Sequence, residues 1–159
     1  MPPRPLTTRD INHQLLADPI VGKSFLGTFA SNRLPPVYKL HQAGHSWPVC
    51  LVINYDSHSN PGSHWVAVWA ESLGSLEYFD SFGIPPLHTG IKDWIQTIDP
   101  GFTWSDTRLQ SFSANTCGYY CIHYLKSKAR GCQLHDVISL FTSTTSLNDE
   151  IIYEFIQNM

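Results

Sequence analysis

Charge is scarce in this 159-residue chain. Ten Lys and Arg and thirteen Asp and Glu amount to 14% of the residues and leave a net charge of −3. No run of Lys or Arg occurs, so composition gives no support to nucleic acid as a dominant partner. No apolar stretch approaches the length of a membrane span and no charged-then-apolar leader opens the chain, so no membrane partner is expected. Internal repeats and low-complexity segments are missing as well. Cysteine is limited to Cys50, Cys117, Cys121 and Cys132. Four thiols could close two disulfides. With no leader, and a chain long enough to bury a core unaided, free thiols in a reducing, intracellular compartment are the expectation.

What is abundant is apolar and aromatic: 42% hydrophobic residues, 13% of the chain being Phe, Trp or Tyr. That composition implies one compact domain over residues 1–159, with a proline-rich, frayed start at 1–6. Thr8 to Leu16 reads as a short helix capped by Thr7 or Thr8 and stopped near Pro19. Val49 to Asn54 is a continuous apolar run of strand length, expected to be central and buried on both faces. After a loop of turn residues, His64 to Ala70 and Ser75 to Asp80 are two β-rich runs around Ser72-Leu73-Gly74, which predicts a hairpin. Ile91, Trp94, Ile95 and Ile98 have helical spacing. Short strands are expected at 102–104 and 107–110, then helices after Cys117, over 134–141 and over 147–157. The last of these is capped by Ser146 or Asn148, with Ile151, Ile152, Phe155 and Ile156 on its apolar side. Strands in the middle and helices at both ends predict an α+β fold, a central mixed sheet flanked by helices.

The stretch from Leu109 to Cys121 organises the rest. A polar loop runs into an apolar helical pattern, and Cys117-Gly118 stands at the junction. At the first turn of a helix, backbone N–H groups and the helix dipole favour an anion, which lowers the cost of forming the nucleophilic thiolate. A glycine beside it permits close approach. Such a cysteine needs a base, and the base an orienting group. Of the eight histidines, His64 begins a strand after a polar loop, so its ring belongs at the mouth of the sheet, with Trp65 beside it to wall a groove. His123 lies nearly two helical turns past Cys117 and points elsewhere. The hairpin returns Asp80 to the end where His64 sits. Glu77 lies three residues inside the strand, and Glu71 belongs to the far turn. Gln110, seven residues before Cys117, and the Cys117 backbone N–H are the candidate donors to a developing oxyanion.

This order of residues resembles that of the adenovirus-type cysteine proteases (adenain), within the wider group that includes the ubiquitin-like-protein proteases. His64-Trp65, Tyr78-Phe79-Asp80-Ser81-Phe82-Gly83, Gln110 and Cys117-Gly118 carry the resemblance, and Phe25 to Pro35 and Cys50 to Asn54 extend it over most of the chain. It implies His64 as base, Asp80 as its orienter, Gln110 as oxyanion donor and Cys117 as nucleophile, with Trp65 and Gly118 binding substrate. It further implies a viral or virus-like endopeptidase that processes precursor proteins, prefers small residues, especially Gly, near the cut, and works in the virion and host nucleus as a monomer. The chemistry requires no metal or organic cofactor. The adenoviral enzyme uses a disulfide-linked peptide activator and is stimulated by DNA. This chain has no cysteine between Asp80 and Gln110 and is acidic overall, so neither activator has support in the sequence.

The same order serves deconjugation of ubiquitin or a ubiquitin-like modifier, which is the alternative enzyme reading. A metal-stabilised binding module would use His41 and His45 with Cys50, or Cys117 and Cys121 with His123, although these spacings fit no common zinc motif. An inactive protease-like scaffold is the fourth reading, and the presence of all four catalytic residue types argues against it.

Overall fold

A computed structural model describes residues 3–42, 47–57 and 64–157. Five strands form one mixed sheet in chain order: β1 (Phe25–Ala30), β2 (Val49–Asn54), β3 (Trp65–Ser72), β4 (Ser75–Phe79) and β5 (Thr103–Trp104). The outer pairs β1/β2 and β4/β5 are parallel, while β2/β3 and β3/β4 are antiparallel. Among the described residues six α-helices accompany it: α1 (Thr8–Ala17), α2 (Val37–Gln42), α3 (Thr89–Ile98), α4 (Cys117–Ala129), α5 (Leu134–Ile138) and α6 (Thr145–Gln157). The α+β class with a flanked mixed sheet is as expected.

Strand alternation divides the interior into two cores. From β3, Trp65, Ala67 and Trp69 face α4, joined by Ile11 and Leu15 of α1 and Ile152 and Ile156 of α6. Val66, Val68 and Ala70 face the other way, onto Ile91, Ile95 and Ile98 of α3. β2 is buried on both faces, its Cys50 and Val52 in one core and its Leu51 and Ile53 in the other. The helix α4 therefore lies across the middle of the sheet. Its side chains from Cys117 to Lys126 are all buried, as its nearly continuous apolar sequence requires.

Four expectations need correction. Residues 3–6 are docked rather than frayed: Arg4 pairs with Asp10 at 2.7 Å, the Tyr119 hydroxyl donates to the Arg4 carbonyl at 3.0 Å, and Trp65 Nε1 donates to the Leu6 carbonyl at 3.1 Å. Thr7 and Asp10 close a capping box on α1 behind them. Residues 107–110 form no strand, because Leu109 and Gln110 both donate their backbone N–H to the Ser81 carbonyl, which leaves them capping a turn. The helix expected over 134–141 ends at Ile138. The last helix begins at Thr145, and its buried side is Asn148, Asp149, Ile152 and Ile156, while Phe155 is exposed. Asn148 is no cap. Its side chain donates to the carbonyls of Leu109 and Thr142.

Candidate active site

His64 immediately precedes β3 and Asp80 immediately follows β4, so the antiparallel pairing of these strands delivers both to one end of the sheet. His64 Nε2 lies 2.9 Å from Asp80 Oδ1. Asp80 is fully buried, and the same oxygen accepts the Phe82 N–H at 2.8 Å, which fixes the carboxylate. The turn closes with the Gly83 N–H donating to the Asp80 carbonyl at 2.8 Å. Gly83 has φ +70°, and a Cβ there would fall 2.5 Å from the Thr107 carbonyl carbon, so only glycine fits. The Phe82 ring stacks on the imidazole, centroids 4.8 Å apart, which limits the ring to one orientation.

Cys117 is the first residue of α4, and the packing of α4 on β3 places it on the same cleft as His64. With Nε2 given to Asp80, Nδ1 is the ring nitrogen left for sulfur. Burial alone would pull the imidazole down. The hydrogen bonds and charge of Asp80 and Cys117 outweigh it and raise the His64 pKa to about 9, so the ring is cationic at neutral pH.

Gln110 is buried beside them. Its Oε1 accepts the Ser81 hydroxyl, and its Nε2 donates one N–H to the Ala114 carbonyl at 2.8 Å, leaving the second N–H of the amide for another acceptor. A cleft of about 300 Å³ is lined by His64, Trp65, Gln110 and Cys117, with Phe82, Phe112 and Pro5 at its edges. A larger groove of about 960 Å³ runs along α1 and α6, but it holds no thiol and its one carboxylate, Asp10, is already paired with Arg4. His64, Gln110 and Cys117 meet in the smaller space.

No family model matches the chain. It is similar to a cysteine protease of African swine fever virus (a tick isolate from Malawi), 28% identical over 116 residues, covering 65% of this chain and 40% of the relative. A SUMO-1 cysteine protease of the same virus (a pig isolate from Kenya) matches with the same identity and coverage. The chain thus spans about two fifths of the length of the curated relatives it matches. Among solved structures, an African swine fever virus protease superposes with TM-score 0.56 at 22% identity, over 96% of this chain and 66% of the other. The SUMO protease Ulp1 superposes with TM-score 0.50 at 15% identity, over 98% of this chain and 80% of the other. The central domain of an uncharacterized Legionella pneumophila protein gives 0.58 at 14% identity, over 98% and 96%. The fold is that of cysteine proteases in the group that includes the ubiquitin-like-protein proteases. The likeness is to this fold and not to the adenovirus branch in particular.

Of the two expected substrate contacts, Trp65 lines the cleft, though it is only 5% exposed and its Nε1 is bonded to the Leu6 carbonyl. Gly118 lies under Leu6: a Cβ on it would meet Leu6 at 3.2 Å and Trp65 at 3.3 Å. The N-terminal segment is therefore one wall of the cleft, which sequence reasoning missed. The capping box at Thr7 was a legible sign that the residue before it, Leu6, should pack on something.

The rival acids are engaged elsewhere. Glu77 accepts from the Tyr124 hydroxyl and pairs with Lys128 at 3.4 Å, and Glu71 accepts from Trp69 Nε1. His123 is buried between Phe141 and Phe155, away from the cleft. All four cysteines are free thiols. Among the described residues no cluster of three His, Cys, Asp or Glu side chains could hold a metal, and His45 and the side chain of His41 lie outside them.

Proposed function

We propose that the chain is a cysteine endopeptidase of viral or virus-like origin that processes precursor proteins. The observation that carries this is the meeting of His64, held by a buried carboxylate, with Cys117 and Gln110 on one cleft. Cys117 as thiolate attacks a peptide carbonyl. His64, cationic at neutral pH, donates its proton to the leaving amine and then takes one from the water that releases the acyl group. Asp80 holds the ring with its proton on Nε2. The free N–H of Gln110 and the backbone N–H of Cys117 receive the oxyanion, worth about 3 kcal/mol per donor. The bonds balance without any external oxidant, reductant or metal: one C–N bond is broken, and water supplies the hydroxyl and the proton.

The substrate is expected to carry small residues next to the cut, because Trp65 and the segment over Gly118 narrow the cleft. A peptide panel varying the residues around the cut tests this. Turnover confined to Gly and Ala there supports the reading, and equal turnover of bulky residues contradicts it.

A second reading, removal of a ubiquitin-like modifier, is favoured by the name SUMO-1 cysteine protease given to a relative and by the fold shared with the SUMO protease Ulp1. A SUMO-based electrophilic probe separates the two. Covalent capture dependent on Cys117 favours deconjugation, and peptide cleavage without capture favours precursor processing.

A further inference from the structure

The proposed chemistry depends on a loop, residues 110–116, that begins with one oxyanion donor and ends at the nucleophile. The loop has no strand or helix of its own to hold it. Beyond the hold of Ser81 on Gln110, its anchorage comes from α6, the element to which neither the motif order nor the proposed mechanism gives a task. Asp149 is buried at the start of α6 and accepts four hydrogen bonds. Its Oδ2 takes the backbone N–H of Ser111 at 3.2 Å and the Ser111 hydroxyl at 2.7 Å. Its Oδ1 takes the Thr116 hydroxyl at 2.8 Å and the Tyr120 hydroxyl at 2.9 Å. Next to it, Asn148 donates to the carbonyl of Leu109 at 3.1 Å.

The positions gripped are informative. Ser111 is the residue after Gln110, Thr116 is the residue before Cys117, and Leu109 is the residue before Gln110. A carboxylate has lone pairs enough to accept four donors at once, whereas an amide of the same shape offers half as many and brings two N–H groups of its own. Burying a carboxylate is costly, and the four donors are what offset it.

We propose that Asp149 is a positioning residue of the active site: by clamping both ends of the 110–116 loop it sets the distance between the Gln110 amide and the Cys117 N–H. This rests on the protease reading for its meaning, but the clamp itself is testable without it. Asp149→Asn keeps size and removes acceptor capacity, so the helix stays while the loop is released.

Three quantities are compared in the 159-residue chain with and without Asp149→Asn: turnover of a fluorogenic Gly-Gly peptide amide, alkylation of Cys117 by iodoacetamide, and amide hydrogen exchange. Exchange over 111–117 should accelerate at least tenfold while β2 and β3 keep their protection. The kcat should fall at least tenfold with KM within threefold. Alkylation, which needs no oxyanion donor, should stay within threefold of wild type. Unchanged exchange over 111–117 overturns the proposal, and so does equal acceleration throughout β2 and β3, which would mark Asp149 as a general stabiliser. If the wild-type chain turns over no peptide, the protease reading fails on its own, while exchange and alkylation still decide the role of Asp149.

Discussion

His64 and His123 both lie against aromatic rings and are largely hidden from solvent, with the His64 side chain 15% exposed and His123 4%. Their proton affinities nevertheless move in opposite directions. Burial is the leading influence on both and disfavours the cation. At His64 a carboxylate and a thiol answer it, and the pKa rises to about 9. At His123 the surroundings are Phe141 and Phe155, Nε2 has no hydrogen-bond partner among the described residues, and a backbone hydrogen bond with Val137 is too weak a counterweight, so the pKa falls to about 4. Burial therefore does not make a histidine catalytic. What distinguishes the end of the sheet from the helical layer is the pair of partners that the β3/β4 hairpin and the start of α4 supply.

The contrast is broken most severely at the thiol. Cys117→Ala should leave the fold intact, since a methyl group fits where a small thiol sat, and should lower peptide turnover by about 10⁴-fold or more, measured with a fluorogenic peptide. Next comes the carboxylate. Asp80→Asn should cost about 100-fold or more in kcat and bring the His64 titration, followed by NMR of the ring protons, down from about 9 toward or below its ordinary value. Asp80→Asn also tests the stability linkage. A folded pKa above the unfolded value means that His64 contributes stability fully below about pH 6.5 and loses it as pH rises through about 9.

His123 should behave as the mirror image. Its folded pKa lies below the unfolded one, so stability is fully present above about pH 6.5 and is lost as pH falls toward about 4, by about 3 kcal/mol in all. His123→Leu should remove this acid sensitivity, seen as a smaller difference between urea midpoints at pH 5 and pH 7, with turnover unchanged. The smallest expected effect is behind the cleft wall. Leu6→Ala withdraws the side chain that seats the N-terminal segment on Gly118, loosens Pro5 at the cleft, and should relax the preference for Gly over Ala next to the cut by a fewfold in kcat/KM.

Much of the site was legible because its residues stand at element boundaries that periodicity marks. The apolar run ending at Asn54, the β-rich runs flanking Ser72-Leu73-Gly74 and the helical pattern after Cys117 fix where strands and helix start. His64, Asp80 and Cys117 lie at those ends. What was hidden depends on contacts between distant segments. Nothing local in Arg4-Pro5-Leu6 says that Tyr119 and Trp65 will bind its carbonyls. Nothing in the α6 pattern says that Asn148, which reads as a cap, and Asp149 will be buried against a loop some forty residues earlier. The strand expected at 107–110 failed for a similar reason. Its residues are strand-compatible, but the Ser81 carbonyl takes both of their N–H groups.

The most direct test is the rate of iodoacetamide labelling of each cysteine as a function of pH, in the wild-type chain and in His64→Ala. If His64 and Cys117 act together, Cys117 reacts faster than the more exposed Cys132 and loses that advantage when His64 is removed. Labelling of Cys117 no faster than Cys132, or unchanged in His64→Ala, would show that the two groups do not act together.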